Sequence, residues 1–312
     1  MSELLCIDVV GSVFLRGEAL AAGYSEREIQ RLSSDGTWHR VRRGAYVAGE
    51  MWRRSDEAAQ HALRARAVIK QARTEVVLSH VSALPEYGAP LWGLRTDVVH
   101  VTRTDRRGGR REAGVHQHLG VIVPEHVTER RGVLVTDATR TAIDITTVAG
   151  PEPSLCVVNH LLHEGLTTME QIAERYSDMV HNPHTLRTDL VMRLAQPAVE
   201  SVAESRTYFL CWRHGIPAPV PQYVVRDESG REVARLDFAW PELGVWLEFD
   251  GKSKYSQHLR PGETPADAVF REKQREDLVR ELTGWRCIRI TWADLERAER
   301  TATRIKAALR IG

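Results

Sequence analysis

Apolar and aromatic positions dominate residues 233–240 and 245–250 on either side of Pro241-Glu242-Leu243-Gly244, a stretch with proline early and glycine last. That pattern predicts a β-hairpin with strands at 233–240 and 245–250. Pairing Trp240 with Val245 across the turn puts Asp237 opposite Glu248. Asp237, Glu248 and Asp250 then share one face, while Leu236, Phe238, Leu247 and Phe249 point to the other. Upstream, residues 199–214 carry Val199, Val202, Ala203, Phe209 and Leu210 on one side of a helix closed by Gly215. Glu204 lies away from that stripe, and Gln196-Pro197 suits both a domain boundary and the start of this helix. Downstream, Thr264-Pro265 opens a long helix to about residue 282, with Gly284 closing it; a strand at 285–290 and a last helix over 291–309 follow. With residues 222–226 as a first strand, the order is αβββαβ.

The first fifty residues predict a winged helix-turn-helix. Residues 15–22 form a short helix ended by Gly23, and Ser25 with Glu28 three positions on makes a capping box for a second helix to about residue 32. Asp35-Gly36 then turns the chain into a strand pair over 38–48, with Arg40, Arg42 and Arg43 clustered near its bend. In such a module the second helix enters the major groove and the wing meets phosphates, so these arginines are candidate DNA contacts; the alternative is a small helical cap with a solvated arginine turn. Residues 55–195 read as mixed α/β, with a helix over 56–72, strands near 98–101 and 115–119, and helices from 136 to about 194. The expected fold class is multi-domain α/β: a winged helix-turn-helix at 1–54, a mixed α/β middle region at 55–195 and an αβββαβ domain at 196–312.

The length of 312 residues allows more than one core, and 42% hydrophobic with 27% charged residues is an ordinary globular balance. A net charge of only +1 means that any nucleic-acid-binding surface must be local. One local cluster is the loop from Arg103 to Arg111, with five arginines against one acid. Broken by Gly108-Gly109, it suits a phosphate-contacting finger and adds Arg106, Arg107, Arg110 and Arg111 to the candidate DNA contacts, although a solvated hairpin tip has the same composition. The cysteines, Cys6, Cys156, Cys211 and Cys287, contain no Cys-x-x-Cys pair, which argues against a structural zinc or disulfide framework and suits a reducing cytosol. No signal peptide pattern is present and no apolar run approaches ~18 residues, so the expectation is a cytoplasmic protein with no membrane partner. His160 with His163, and His181 with His184, are each three apart. Without an acid or cysteine close by, they read as structural histidines in preference to zinc ligands.

Two carboxylates directly opposite each other repel in a bare sheet. A hard divalent cation removes that repulsion, because Mg²⁺ takes carboxylate oxygens and keeps waters for substrate phosphates; otherwise the acids line the wet face of an ordinary hairpin. Lys252 and Lys254 continue the period of two. On these residues the chain resembles the PD-(D/E)XK nucleases, in which an acid on one strand and Glu-x-Lys on the next bind the metal. Asp250 stands where that lysine would be, and the Glu-x-Asp-Gly form is similar to the domain related to very-short-patch repair endonucleases. The resemblance implies a restriction-endonuclease-like domain that hydrolyses DNA phosphodiester bonds, in phage defence or DNA repair. It implies Mg²⁺ or Mn²⁺ held by Asp237, Glu248 and Asp250, Lys252 in the role of the displaced lysine, and Glu204 reaching toward the metal from the preceding helix.

A second resemblance covers the other half. Leu20-Ala21-Ala22-Gly23-Tyr24-Ser25, the run from Trp38 to Val47, Leu78-Ser79-His80-Val81-Ser82-Ala83-Leu84, the strand at 97–102 and the run from Val135 to Asp144 resemble, in that order, antitoxins of the abortive-infection (AbiEi) type, which bind operator DNA. That resemblance implies DNA as a partner and is compatible with a toxin partner or a homodimer. It also supports the alternative to an endonuclease, a non-enzymatic transcriptional regulator or antitoxin with a degenerate nuclease fold.

Overall fold

The computed structural model describes residues 12–105, 109–119, 122–178, 185–250 and 264–311. The chain divides into two compact units, Met1–Arg193 and Leu194–Gly312. Both are α/β, and the described residues form three sheets, so the chain is a multi-domain α/β protein.

The first unit opens with β1 (Phe14–Leu15), α1 (Arg16–Ala21), α2 (Glu26–Ser34), β2 (Trp38–Arg42) and β3 (Ala45–Ala48). The strands form an antiparallel sheet in the order β1-β3-β2. The reciprocal cap between Ser25 and Glu28 starts α2, with Ser25 N–H donating to the Glu28 carboxylate at 2.8 Å. Phe14, Ile29, Trp38 and Tyr46 share one apolar cluster. A second cluster joins Val13 and Val47 to Leu63 and Ala67, which belong to α4 (Glu57–Gln71), the helix after α3 (Gly49–Arg54). Through that cluster residues 12–54 share a core with the chain that follows. Only glycine fits at the start of α3, because a Cβ on Gly49 would lie 1.9 Å from the Gly36 carbonyl oxygen.

The larger sheet of this unit contains β4 (Val76–Leu78), β5 (Val99–Arg103), β6 (Arg110–Glu112), β7 (Val115–His118), β8 (Val127–Arg130) and β9 (Val133–Thr136). Their order is β6-β7-β5-β4-β9-β8. A 3₁₀ segment, His80–Tyr87, connects β4 to β5, and α5 (Ala138–Val148), α6 (Pro151–His163), α7 (Met169–Ser177) and α8 (Thr185–Leu194) follow the sheet. The loop expected from Arg103 to Arg111 is shorter at both ends: Arg103 ends β5, and Arg110 and Arg111 lie in β6, paired with Gln117 and His116, so a backbone ladder holds these two. Arg106 and Arg107 lie outside the described residues.

In the second unit, α9 (Val202–Arg213) begins later than the position of Pro197 suggested, because the Ser201 side chain accepts the Glu204 N–H and caps the helix there. Then come β10 (Val220–Arg226), β11 (Glu232–Trp240), β12 (Val245–Phe249), α10 (Pro265–Thr283), β13 (Arg286–Ile290), α11 (Trp292–Leu295) and α12 (Ala298–Leu309). The last helix expected over 291–309 is thus two helices, broken at Arg297, whose ψ of 55° is not helical. The sheet order is β10-β11-β12-β13, antiparallel except for the parallel final pair. Val279 of α10 shares a cluster with Ala239 and Trp246. Tyr208 of α9 meets Phe238 at 6.3 Å between ring centroids, and Trp292 of α11 meets Phe249 edge-on at 5.2 Å. Strand alternation puts Ala239 and Trp246 on the opposite face from Phe238 and Phe249, so helices cover both faces. No helix among the described residues is long and apolar enough to cross a membrane.

Candidate functional site

The hairpin turn is a 3₁₀ piece, Pro241–Leu243, closed by Gly244 at φ +61°, a left-handed conformation that glycine adopts without a Cβ clash. It sets the register Trp240↔Val245, Ala239↔Trp246, Phe238↔Leu247, and one further step brings Asp237 across from Glu248. Asp237 Oδ2 accepts the Phe249 N–H at 2.7 Å, which ties that carboxylate to the end of β12. Glu248 has a side chain only 14% exposed and pairs with Arg275 of α10 at 3.1 Å. Arg275 also donates to the Arg235 carbonyl. Arg289 lies beside Glu248 in the parallel register and pairs with Glu276. The acid face is therefore not the open wet face of an ordinary hairpin: α10 lies over it, and a guanidinium offsets part of the repulsion between Asp237 and Glu248. Asp250 is half-buried just past β12, its N–H donating to the Ile290 carbonyl at 2.8 Å. Lys252 and Lys254 lie outside the described residues. Asp237, Glu248 and Asp250 do not converge as a three-ligand group among the described residues, so a cation site here rests on Asp237 and Glu248 as a pair.

Glu204 is not on an outer helix face. α9 is buried from Ala203 to Cys211, and Glu204 is 3% exposed. Its Oε1 accepts the Ser201 hydroxyl at 2.6 Å, and its Oε2 accepts the Glu200 N–H at 3.1 Å and the Gln222 side-chain N–H at 2.9 Å. Gln222 sits between the pairs Pro221↔Phe238 and Tyr223↔Leu236, which puts it across from Asp237. Its φ of +50° is unusual for a side chain of this size, and the bond to Glu204 holds the amide in place. Glu204 thus braces the residue beside Asp237. Arg206 turns away from it, pairing with Glu296 at 2.8 Å.

In the first unit, Arg40 and Arg43 are exposed and Arg42 is half-buried. None of the three makes an ion pair with a described residue. Arg103 of the second cluster pairs with Asp105, and the Arg111 Nε–H donates to His116 Nε2 at 3.3 Å.

Beside that strand the structure assembles a histidine cluster that the sequence reading does not contain. β5 and β7 run parallel with His100 beside His116 and Thr102 beside His118, so three imidazoles share a sheet face. His80 joins them from the start of the 3₁₀ segment, its ring stacked 3.6 Å from that of His118. His100 Nδ1 and His118 Nε2 are 2.8 Å apart. One ligand nitrogen from each of His80, His100 and His118 lies within 4.8 Å of the others. Burial, with the neighbouring imidazoles and arginines adding to it, holds all four rings below the usual imidazole range, His100 at about 4. Asp144 is buried, its Oδ1 accepting the Arg140 Nε–H at 2.7 Å. Its Oδ2 has no hydrogen-bond partner among the described residues and lies 3.8 Å from His80 Nδ1. Burial pushes its carboxyl above the usual range, against the Arg140 charge. These groups line a cleft of about 1300 Å³. The signal in the sequence was His116-Gln-His118, an alternation that puts two imidazoles on one strand face; only the fold could bring His80 and His100 to it.

No known family model matches the chain. It is similar to two uncharacterized proteins of Mycobacterium tuberculosis, MT2308 of strain CDC 1551 / Oshkosh and Rv2248 of strain ATCC 25618 / H37Rv. With each it is 26% identical over 192 residues, 61% of this chain, and spans 66% of the length of these curated relatives.

Proposed function

We propose that the unit Leu194–Gly312 is a metal-dependent DNA endonuclease of the PD-(D/E)XK kind, and that residues 12–54 form a winged helix-turn-helix of the AbiEi-antitoxin type that brings it to DNA. The observation that carries the reading is the hairpin register, Trp240↔Val245 to Phe238↔Leu247, whose next step sets Asp237 against Glu248 on a face bordered by Arg275 and Arg289. The αβββαβ order, and the free-standing arginines of the β2–β3 bend, support it.

The donors suit the cation. Mg²⁺ and Mn²⁺ take hard oxygen ligands, and Mg²⁺ is commonly held by one or two protein carboxylates with waters and substrate phosphate completing the shell; Asp237 and Glu248 would supply the protein's share. When bound, the metal would lower the pKa of a water and stabilise charge on the phosphate. The chain's own residues do the rest. The Phe249 N–H fixes Asp237, Gln222 braced by Glu204 packs beside it, and Arg275 holds Glu248 at 3.1 Å, where it offers a scissile phosphate a guanidinium. Glu204, with both oxygens engaged, acts by positioning. Asp250, outside that pair, would orient the water, and Lys252 would donate to the developing charge.

The rival reading is a non-enzymatic DNA-binding regulator on a degenerate nuclease fold. The Arg275–Glu248 ion pair favours it, since an arginine already satisfies one of the two acids. Incubating purified protein with plasmid and Mg²⁺ or Mn²⁺, beside Asp237→Asn and Glu248→Ala, separates the two. Cleavage by the wild type that both substitutions abolish supports the enzyme. Background equal in all three leaves the regulator.

A further inference from the structure

We propose that His80, His100 and His118 form a binding site for one divalent transition-metal ion of the zinc class, with Asp144 as its buried counter-charge and the adjoining cleft as the route to its remaining coordination position.

The first argument is geometric. Three imidazoles from β5, β7 and the 3₁₀ segment bring one nitrogen each within 4.8 Å of the others. Imidazole nitrogens bind zinc at ~2.0–2.1 Å, so in a loaded site the 2.8 Å contact between His100 and His118 opens, the widest separation closes, and His80 tilts out of its stack on His118. These are rotations about side-chain bonds, not backbone movements. His80 itself has a backbone φ of +52°, uncommon for a residue with a Cβ and costly enough that the surroundings must enforce it.

The second argument is chemical. Neutral imidazole is the form that binds a metal, and burial disfavours charging any of these rings. Nitrogen donors select zinc, copper, iron or nickel and not Mg²⁺, which prefers oxygen, so this site would not compete for the hairpin's ion. Ser79 Oγ bonds His80 Nδ1 at 2.9 Å and so leaves the other nitrogen of that ring to a ligand role, as outer hydrogen bonds do in metal sites. The buried Asp144 Oδ2, with no hydrogen-bond partner among the described residues and 3.8 Å from the same ring, is costly where it stands, and a cation among the imidazoles removes that cost. Three protein ligands and a cleft on the open side match sites that keep a position for water or an exchangeable anion. The plain alternative is a hydrogen-bonded imidazole stack that binds nothing.

The test uses the full chain without an affinity tag, stripped by chelator and re-equilibrated with Zn²⁺ or Co²⁺. We expect one ion per chain after gel filtration, visible Co²⁺ ligand-field absorption, and displacement of Co²⁺ by Zn²⁺ but not by Mg²⁺. His100→Asn and His118→Asn, each with wild-type circular dichroism, should lose the ion. Asp144→Asn should weaken it ~10–100-fold, the usual effect of removing an outer partner. His116→Ala, whose Nε2 is taken by Arg111, and Glu248→Ala should both keep it. Should either ligand variant fail to fold, protection of the wild-type imidazoles from diethylpyrocarbonate by Zn²⁺ but not Mg²⁺ decides the question. Less than a stoichiometric ion in the wild type, or retention by the folded His100→Asn and His118→Asn proteins, overturns the proposal.

Discussion

Replacing Glu204 separates bracing from chemistry. Its two oxygens accept from three donors, the Ser201 hydroxyl, the Glu200 N–H and the Gln222 amide, at a side chain 3% exposed. Glu204→Leu keeps the bulk and removes every acceptor. Each buried donor left without a partner costs ~1–3 kcal/mol. The hydroxyl can rotate to another acceptor and the burial of a charge is relieved, so the net loss is about 2–5 kcal/mol. Glu204→Gln keeps one acceptor oxygen, which can face the two N–H donors while Ser201 accepts from the new amide. Exchanging charge-assisted bonds for neutral ones costs only about 1–2 kcal/mol. Because the chain has two units, a single unfolding free energy is poorly defined. The measurement is native-state hydrogen exchange by mass spectrometry on peptides covering Val220–Arg226 and Val245–Phe249, which reads local opening in this sheet. The order expected is wild type, then Gln, then Leu, with cleavage by the Gln variant close to wild type. Equal protection in Leu and wild type, or a Gln variant as open as Leu, would refute the bracing role. A Gln variant that is folded but inactive would return Glu204 to direct contact with the reaction.

Arg40, Arg42 and Arg43 should each contribute ~0.9 to the slope of log K for DNA against log salt; a triple alanine variant with an unchanged slope in an electrophoretic or fluorescence titration would remove them from the interface. Lys252→Ala should lower cleavage by ~10²–10³ while DNA binding persists, since a donor to developing charge acts on the transition state; full activity in that variant, with a gain in Asp250→Lys, would show that Asp250 is only a tolerated substitution. Burial pushes the Cys211 thiol up to about 12, far above the ordinary cysteine range, so its reactive thiolate is scarce at pH 8. Iodoacetamide should therefore label Cys211 only in denaturant, as read by peptide mass spectrometry, and rapid native labelling would contradict its burial in α9.

The features legible in the chain lie within a few residues of their own signal. The Ser25–Glu28 capping box and the start of α10 at Thr264, capped by Asp267, need only residues three apart. The hairpin register needs only the turn from Pro241 to Gly244, because a slip of one residue would send every side chain to the opposite face; hence Asp237 and Glu248 could be set against each other from the chain alone. The tertiary structure decided what depends on distant pairing. β4 and β9 have three and four residues, too few for a period to be seen; β4 is held along its length by β5, some twenty residues on, and meets β9 only where Leu78 faces Val135. The Arg110–Glu112 strand is a local hairpin partner of β7 across Ala113-Gly114, and it enters the larger sheet only through the parallel pairing of β7 with β5. Glu204 is buried because helices and sheet surround α9, a fact its own helical period cannot report. The histidine cluster is the clearest case: His80, His100 and His118 are about twenty residues apart along the chain, and only the parallel pairing of β5 with β7, under a 3₁₀ segment held in an uncommon backbone conformation, makes them neighbours.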